Sequence, residues 1–269
     1  MNENLAREIL ELHTLGGDGG YSQQDVTTFA KVISGWSIGG REDRSSPGDP
    51  GAFRFRPMLH EPGAKTLLGR RFNQDGFEQG RAVMEELARR PATARHLAAK
   101  LARHFVADDP PAALVQRLSA TYLRSGGRLS SVYEELVAAE EAWVPQASKY
   151  LAPQDFIYGA LRALDVLPHE PRALIAPFQM LGQPTYRPGS PAGWPDRSQD
   201  WDGADALMKR IEWSVALAQR LGDSRDVLAT LDVALGPLAG EALRTALARA
   251  DSVPQGITML LMSPEFQRR

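Results

Sequence analysis

Asn2-Glu-Asn-Leu-Ala-Arg-Glu-Ile-Leu-Glu-Leu-His-Thr-Leu-Gly-Gly-Asp-Gly-Gly-Tyr-Ser-Gln-Gln-Asp-Val26 reads as a helix, a glycine turn and a second, freshly capped helix. Leu5, Ile9 and Leu12 recur at i, i+4 and i+7, which predicts a single buried stripe. Glu3/Arg7 and Arg7/Glu11 stand at i, i+4 as charge pairs on the other face, and Glu8 approaches Glu11 at i, i+3. The run from Gly16 to Gly20 breaks the helix. Ser22 then caps the next one, Asp25 completes an acidic capping box three residues on, and Tyr21 is placed to staple onto Val26. These spacings give Asn2, Glu3, Glu8, Ser22 and Asp25 structural roles. His13 has only Ile9 and Gly17 at the offsets where a helical metal site needs a second ligand.

Outward from this pair the periodicity stays helical. Patterns cover residues 75–90, 91–105, 110–125, 129–142, 153–166 and 171–181, then 204–221, 225–235, 239–250 and 254–262, and most open with a proline or an acidic cap. In the second of them Ala94, Leu97, Ala98, Leu101 and Phe105 form the expected buried stripe. Strand signal is confined to Phe53-Arg-Phe-Arg56 and Lys65-Thr-Leu-Leu68, with 57–63 able to turn the chain between them. The expected fold is mainly α: an irregular array of about ten helices with one small β-hairpin near residues 53–68. A single helical domain over 1–269 is expected, with flexible loops at 39–52 and 183–202.

Composition sets bounds. The 269 residues are 43% hydrophobic and 24% charged, ordinary globular values that argue against wholesale disorder. A net charge of -2 gives no global pull toward nucleic acid or an anionic membrane. The absence of cysteine removes disulfides, thiolate ligands and a cysteine nucleophile. No apolar run is long enough for a membrane span, and the charged first helix is no signal peptide. No metal site and no cofactor fingerprint is found.

A family resemblance rests on the opening stretch and on five collinear motifs after it: His60-Glu-Pro-Gly-Ala-Lys-Thr-Leu-Leu-Gly69, Pro91-Ala-Thr-Ala-Arg-His-Leu-Ala-Ala-Lys-Leu101, Phe105-Val-Ala-Asp-Asp-Pro-Pro111, Gly182-Gln-Pro184 with Ser190-Pro-Ala-Gly-Trp-Pro195, and Leu261-Met-Ser-Pro-Glu-Phe-Gln-Arg-Arg269. Together they resemble the bacterial family called domain of unknown function 1800. The resemblance implies a chain matching the later half of longer relatives, which often begin with an export signal, so localisation stays open and an extracytoplasmic compartment is compatible with a full-length parent. It also implies a possible partner, since genes of the family commonly neighbour those for exported alkaline-phosphatase/sulfatase-like proteins. It implies no established activity.

Three constellations could carry chemistry. His60, Glu61 and Lys65 bring an imidazole, a carboxylate and an ammonium together, the makings of a base, an orienting acid and an anion clamp. The family's usual acid after this histidine is aspartate, one methylene shorter than Glu61. Arg95, His96, Lys100 and Arg103 form a basic ridge suited to a phosphate, sulfate or acidic partner, or else a solvated helix face. Tyr186, Trp194 and Trp201 lie in a segment rich in proline, where rigid aromatics either line a groove or anchor the loop. Two functions follow. The first is a non-enzymatic interaction or assembly protein of the bacterial envelope that binds another protein or a surface polymer. The alternative is a hydrolase or transferase using the His60/Glu61/Lys65 site.

Overall fold

The computed structural model describes residues 2–40, 50–144, 147–168 and 170–269, so most of the expected loop over 39–52 lies outside the described residues. Among the described residues the chain forms twelve α-helices and two small antiparallel sheets of two strands each, the mainly helical class expected. Its contacts separate two compact units. The first comprises Met1–Leu101 and Pro111–Ala139, and the second Ala102–Pro110 and Glu140–Arg269.

The first unit opens with α1 (Glu3–Glu8), capped by the Asn2 side chain, which accepts from Leu5 N. The helix then widens into a π-helical turn over Ile9–Thr14. That turn corrects the expected stripe. The buried apolar positions are Ala6, Leu10 and Leu15, spaced by four and then five residues, while Leu5 is 40% exposed and Ile9 and Leu12 are half-buried. Leu15 N bonds back to Leu10 O at 2.8 Å, and the Thr14 hydroxyl donates to Ile9 O at 2.7 Å, so side-chain chemistry supports the wider winding. After the glycine turn, α2 (Gln23–Val32) starts at the expected capping box of Ser22 and Asp25. Arg7 and Glu3 do not pair with each other directly; Gln23 bridges them, accepting from Arg7 and donating to Glu3.

The strand pairing differs from a single hairpin over 53–68. β1 (Trp36–Ile38) pairs with β2 (Phe53–Phe55), and β3 (Lys65–Leu67) pairs with β4 (Arg70–Phe72). Two causes explain it. Leu68 and Gly69 both take positive φ, 50° and 77°, the backbone of a tight two-residue hairpin turn. Trp36, Phe53, Phe55 and Phe77 meanwhile form a ring cluster, Trp36 meeting Phe53 edge-on at 5.6 Å. Gly80 makes room for it, since a Cβ there would lie 2.5 Å from the Trp36 ring. The unit continues through α3 (Phe77–Ala88), α4 (Pro91–Phe105) as far as Leu101, α5 (Ala112–Arg124) and α6 (Leu129–Ala138). Its core gathers Ala6, Leu10, Val26, Phe29, Val83 and Leu87 with Leu67 and Phe72 from the second hairpin. Each fully buried leucine or phenylalanine contributes about 1.5–3 kcal/mol.

On α4 the buried apolar positions are Ala94, Ala98 and Ala102, a stripe at i, i+4 and i+8. Phe105, expected at its end, is 53% exposed and meets the His104 ring edge-on instead. The second unit holds α7 (Pro153–Ala163), α8 (Pro171–Met180), α9 (Ala204–Leu221), α10 (Val227–Ala234), α11 (Glu241–Ala248) and α12 (Val253–Met262). Phe156, Ile157, Trp213, Leu217, Leu231, Leu260 and Leu261 are prominent in its core. The chain's last residues add an isolated antiparallel bridge, Tyr150 to Arg268.

Candidate functional site

The His60–Lys65 motif follows a 3-10 turn over Pro57–Leu59 and leads into β3. His60 Nδ1 lies 2.9 Å from the Ser34 carbonyl. A carbonyl only accepts, so Nδ1 carries a hydrogen and donates it. The ring stands edge-on to Phe55 at 5.4 Å. Ser34 is the latch of this corner, its hydroxyl donating to Lys31 O at 2.6 Å and accepting from Glu61 N at 2.8 Å. His60 is thus oriented by a backbone carbonyl, while the Glu61 residue is exposed to solvent.

Lys65 is only 8% exposed. Its ammonium donates to Glu61 O at 2.6 Å, Gly63 O at 3.0 Å and Gln79 Oε1 at 2.9 Å, which uses all three of its hydrogens. Burial pushes its pKa down, against the opposing pull of the Glu61 charge. Gln79 is fully buried, and its amide nitrogen donates to the carbonyls of Gly63, Phe72 and Gln74. Lys65 and Gln79 therefore tie the 61–65 turn, β4 and α3 into one knot. With its donors spent, this ammonium has none left for an anionic ligand.

The α4 ridge is divided in its contacts. His96 Nε2 donates to Leu12 O at 3.0 Å, in the widened turn of the first helix. Its ring fills space that only glycine leaves at Gly16 (φ 83°), where a Cβ would come within 2.8 Å of it. Arg103 Nε donates to Asp108 O at 3.4 Å, whereas Arg95 and Lys100 are exposed. The carboxylate of Asp25 adds a tie beyond its capping box, accepting from Leu68 N at 2.8 Å. Burial alone would raise its pKa, but the hydrogen bonds from Ser22 and Leu68 and the nearby Arg90 charge hold it below the usual range. Glu8 is half-buried on the same first helix.

In the second unit the 183–202 segment is held at both ends. Gln183, 7% exposed, accepts from Gln154 N at 2.8 Å at the start of α7. Trp201 is buried, donates from Nε1 to Pro195 O at 3.1 Å and has the half-buried Trp194 ring 6.5 Å away. These two tryptophans anchor the segment. Tyr186 does the opposite: it is 97% exposed.

Several residues at the centre of these contacts carried no recognisable local pattern. Lys149, 3% exposed, donates to Asp108 Oδ1 at 2.9 Å and to the Asp196 carbonyl, with Asp196 Oδ1 at 3.6 Å. Ser198 N donates to the other Asp108 oxygen at 2.8 Å, and His104 Nδ1 lies 2.9 Å from Asp196 Oδ1. Burial would raise the Asp108 pKa, yet the Lys149 and Ser198 contacts outweigh it and hold the carboxyl below its usual value. Arg210 is 1% exposed, its guanidinium between the Tyr150 and Phe156 rings at 4.4 and 4.9 Å, and it donates to Gln267 Oε1 and Leu151 O. Among the described residues no three histidines or carboxylates converge as metal ligands, and no helix is long and apolar enough to cross a membrane.

These features define a mainly helical protein whose buried ionisable groups are bonded into the fold and whose motifs cluster at chain turns. The chain belongs to the family described as "Protein of unknown function (DUF1800)", whose family model matches residues 1–268. No curated protein and no solved structure matches it.

Proposed function

We propose that the protein is a non-enzymatic interaction or assembly protein of the bacterial envelope, binding another protein or a surface polymer. The supporting observation is the division of labour within residues 53–65. The polar groups of the motif, His60 Nδ1 and the Lys65 ammonium, are bonded to neighbouring carbonyls and to Gln79. The apolar side chains beside them face water: Met58 is 94% exposed, Leu59 61% and Phe53 51%. Large apolar groups displayed on an ordered turn mark an interaction surface more than a reaction centre. An exported alkaline-phosphatase/sulfatase-like protein is the first partner to examine.

Affinity capture from an envelope fraction of the native host, with quantitative mass spectrometry and glycan staining of what is retained, tests this reading. Retention of a specific protein or polymer that is lost in the Met58→Ser/Leu59→Ser variant and kept in His60→Gln is the expected result. Retention that is indifferent to Met58 and Leu59, or a turnover abolished by His60→Gln at unchanged thermal stability, overturns it.

A further inference from the structure

The turn at Thr185–Arg187 is built to present one ring. Arg187 N bonds to Pro184 O at 3.3 Å, which closes a β-turn with Tyr186 at its third position. Tyr186 there has φ 55°, the left-handed region that glycine or asparagine normally fills in such a turn. A bulky side chain in that conformation is strained, by on the order of 1–2 kcal/mol. Burial does not compensate, because the residue is 97% exposed. The turn is stiffened by Pro184 and Pro188 and rooted by Gln183 on α7. A fully solvated tyrosine therefore stands against its own backbone preference, with both ring faces in water.

The neighbours narrow the ligand. Thr185, Arg187, Gly189 and Ser190 are all exposed, so no apolar rim surrounds the ring. A protein hot spot draws its strength from such a rim, which shuts water out of the contact. A sugar needs none, since the axial C–H face of a pyranose covers an aromatic ring while its hydroxyls stay hydrated. Arg187, next along the turn, is exposed and makes no ion pair among the described residues, leaving its planar fork of donors for an external carboxylate.

We propose that the Thr185–Arg187 turn is a binding site for an acidic polysaccharide, with a sugar ring stacked on Tyr186 and a uronate carboxylate on Arg187. The assignment rests on the interaction reading above and selects the surface polymer from its two classes of partner.

Titration calorimetry of the purified chain with polygalacturonate tests it, with dextran as neutral sugar and poly-L-glutamate as ring-free polyanion. Wild type is expected to bind polygalacturonate, with neither control competing. Tyr186→Asn, which suits positive φ and so keeps the turn, should weaken binding about tenfold or more, a loss of about 1.4 kcal/mol. Tyr186→Phe should retain it, Arg187→Met should weaken it, and the thermal midpoint of Tyr186→Asn should not fall. Absence of polygalacturonate binding, indifference to Tyr186→Asn, or equal competition by poly-L-glutamate each overturns the assignment. A wild-type chain that captures a partner through Met58 and Leu59 yet ignores polygalacturonate sinks this site alone. Polygalacturonate binding that needs Tyr186, with no partner dependent on Met58 and Leu59, sinks only the Met58 surface.

Discussion

Lys65 in the first unit and Lys149 in the second are both nearly buried, and the fold accommodates them by opposite means. The Lys65 ammonium donates only to neutral oxygens, two backbone carbonyls and the Gln79 amide. Lys149 is matched by charge, with the carboxylates of Asp108 and Asp196 beside it. The consequence shows in the titration of the groups. Burial lowers the Lys65 pKa and outweighs the opposing Glu61 charge, whereas Asp108 is held below its usual value by Lys149 and Ser198 despite its own burial. Neutral acceptors satisfy the geometry of an ammonium without neutralising its charge. Carboxylates do both, but each then depends on the lysine.

That dependence sets the order of the expected effects. Lys149→Met leaves two carboxylates facing each other. Because Asp108 and Asp196 remain 26% and 36% exposed, the expected loss is about 2–3 kcal/mol, somewhat below that of a fully buried pair. Urea denaturation measures it, and adding Asp108→Asn should restore part of the loss; no recovery would mean that the charges are not coupled. Lys65→Met should cost less, about 1–2 kcal/mol, since it strands only neutral acceptors. In that background Gln79→Leu should cost less than it does alone. Simple additivity in the cycle would separate the two residues.

Smaller, and more diagnostic, are the pH limbs. The stability contributed by Asp108 is fully present above its unfolded value near 3.8 and is lost as pH falls through the lower folded value. Subtracting the acid-unfolding curve of Asp108→Asn from that of wild type should reveal this limb. Lys65 works in the other direction. Between its lowered folded value and 10.5 the unfolded chain binds the extra proton, so stability rises with pH across that window. Lys65→Met should flatten this alkaline rise, and an unchanged profile would show the ammonium to be better solvated than its contacts imply.

Most helices were legible because their signals are local. The spans 91–105 and 204–221 coincide with α4 and α9, and Ser22 and Asp25 make the expected box. The strand partners were harder. Trp36–Ile38 is only three residues long, too short for alternation to register, and its stability comes from Phe53 and Phe77, distant in sequence. The His60–Lys65 motif was visible as a cluster of groups, but their bonding partners were not. Ser34 lies 26 residues from His60, and Gln79 lies 14 from Lys65. Lys149 reaches Asp108 across 41 residues, a pairing that only the folded chain creates. Tyr186 was legible as an aromatic in a loop rich in proline, whereas its left-handed backbone is set only by the closed turn.

The widened turn between Leu10 and Leu15 gives the first helix one residue of slack. A chain with a single deletion there could wind as an ordinary α-helix and still present its leucines to the same core, because a spacing of four serves that geometry as five serves this one. When relatives are aligned, a one-residue gap at Ile9–Thr14 is then a change of winding and not a loss of homology. The positions to hold in register across such a gap are Ala6 and Leu10 before it and Leu15 after it.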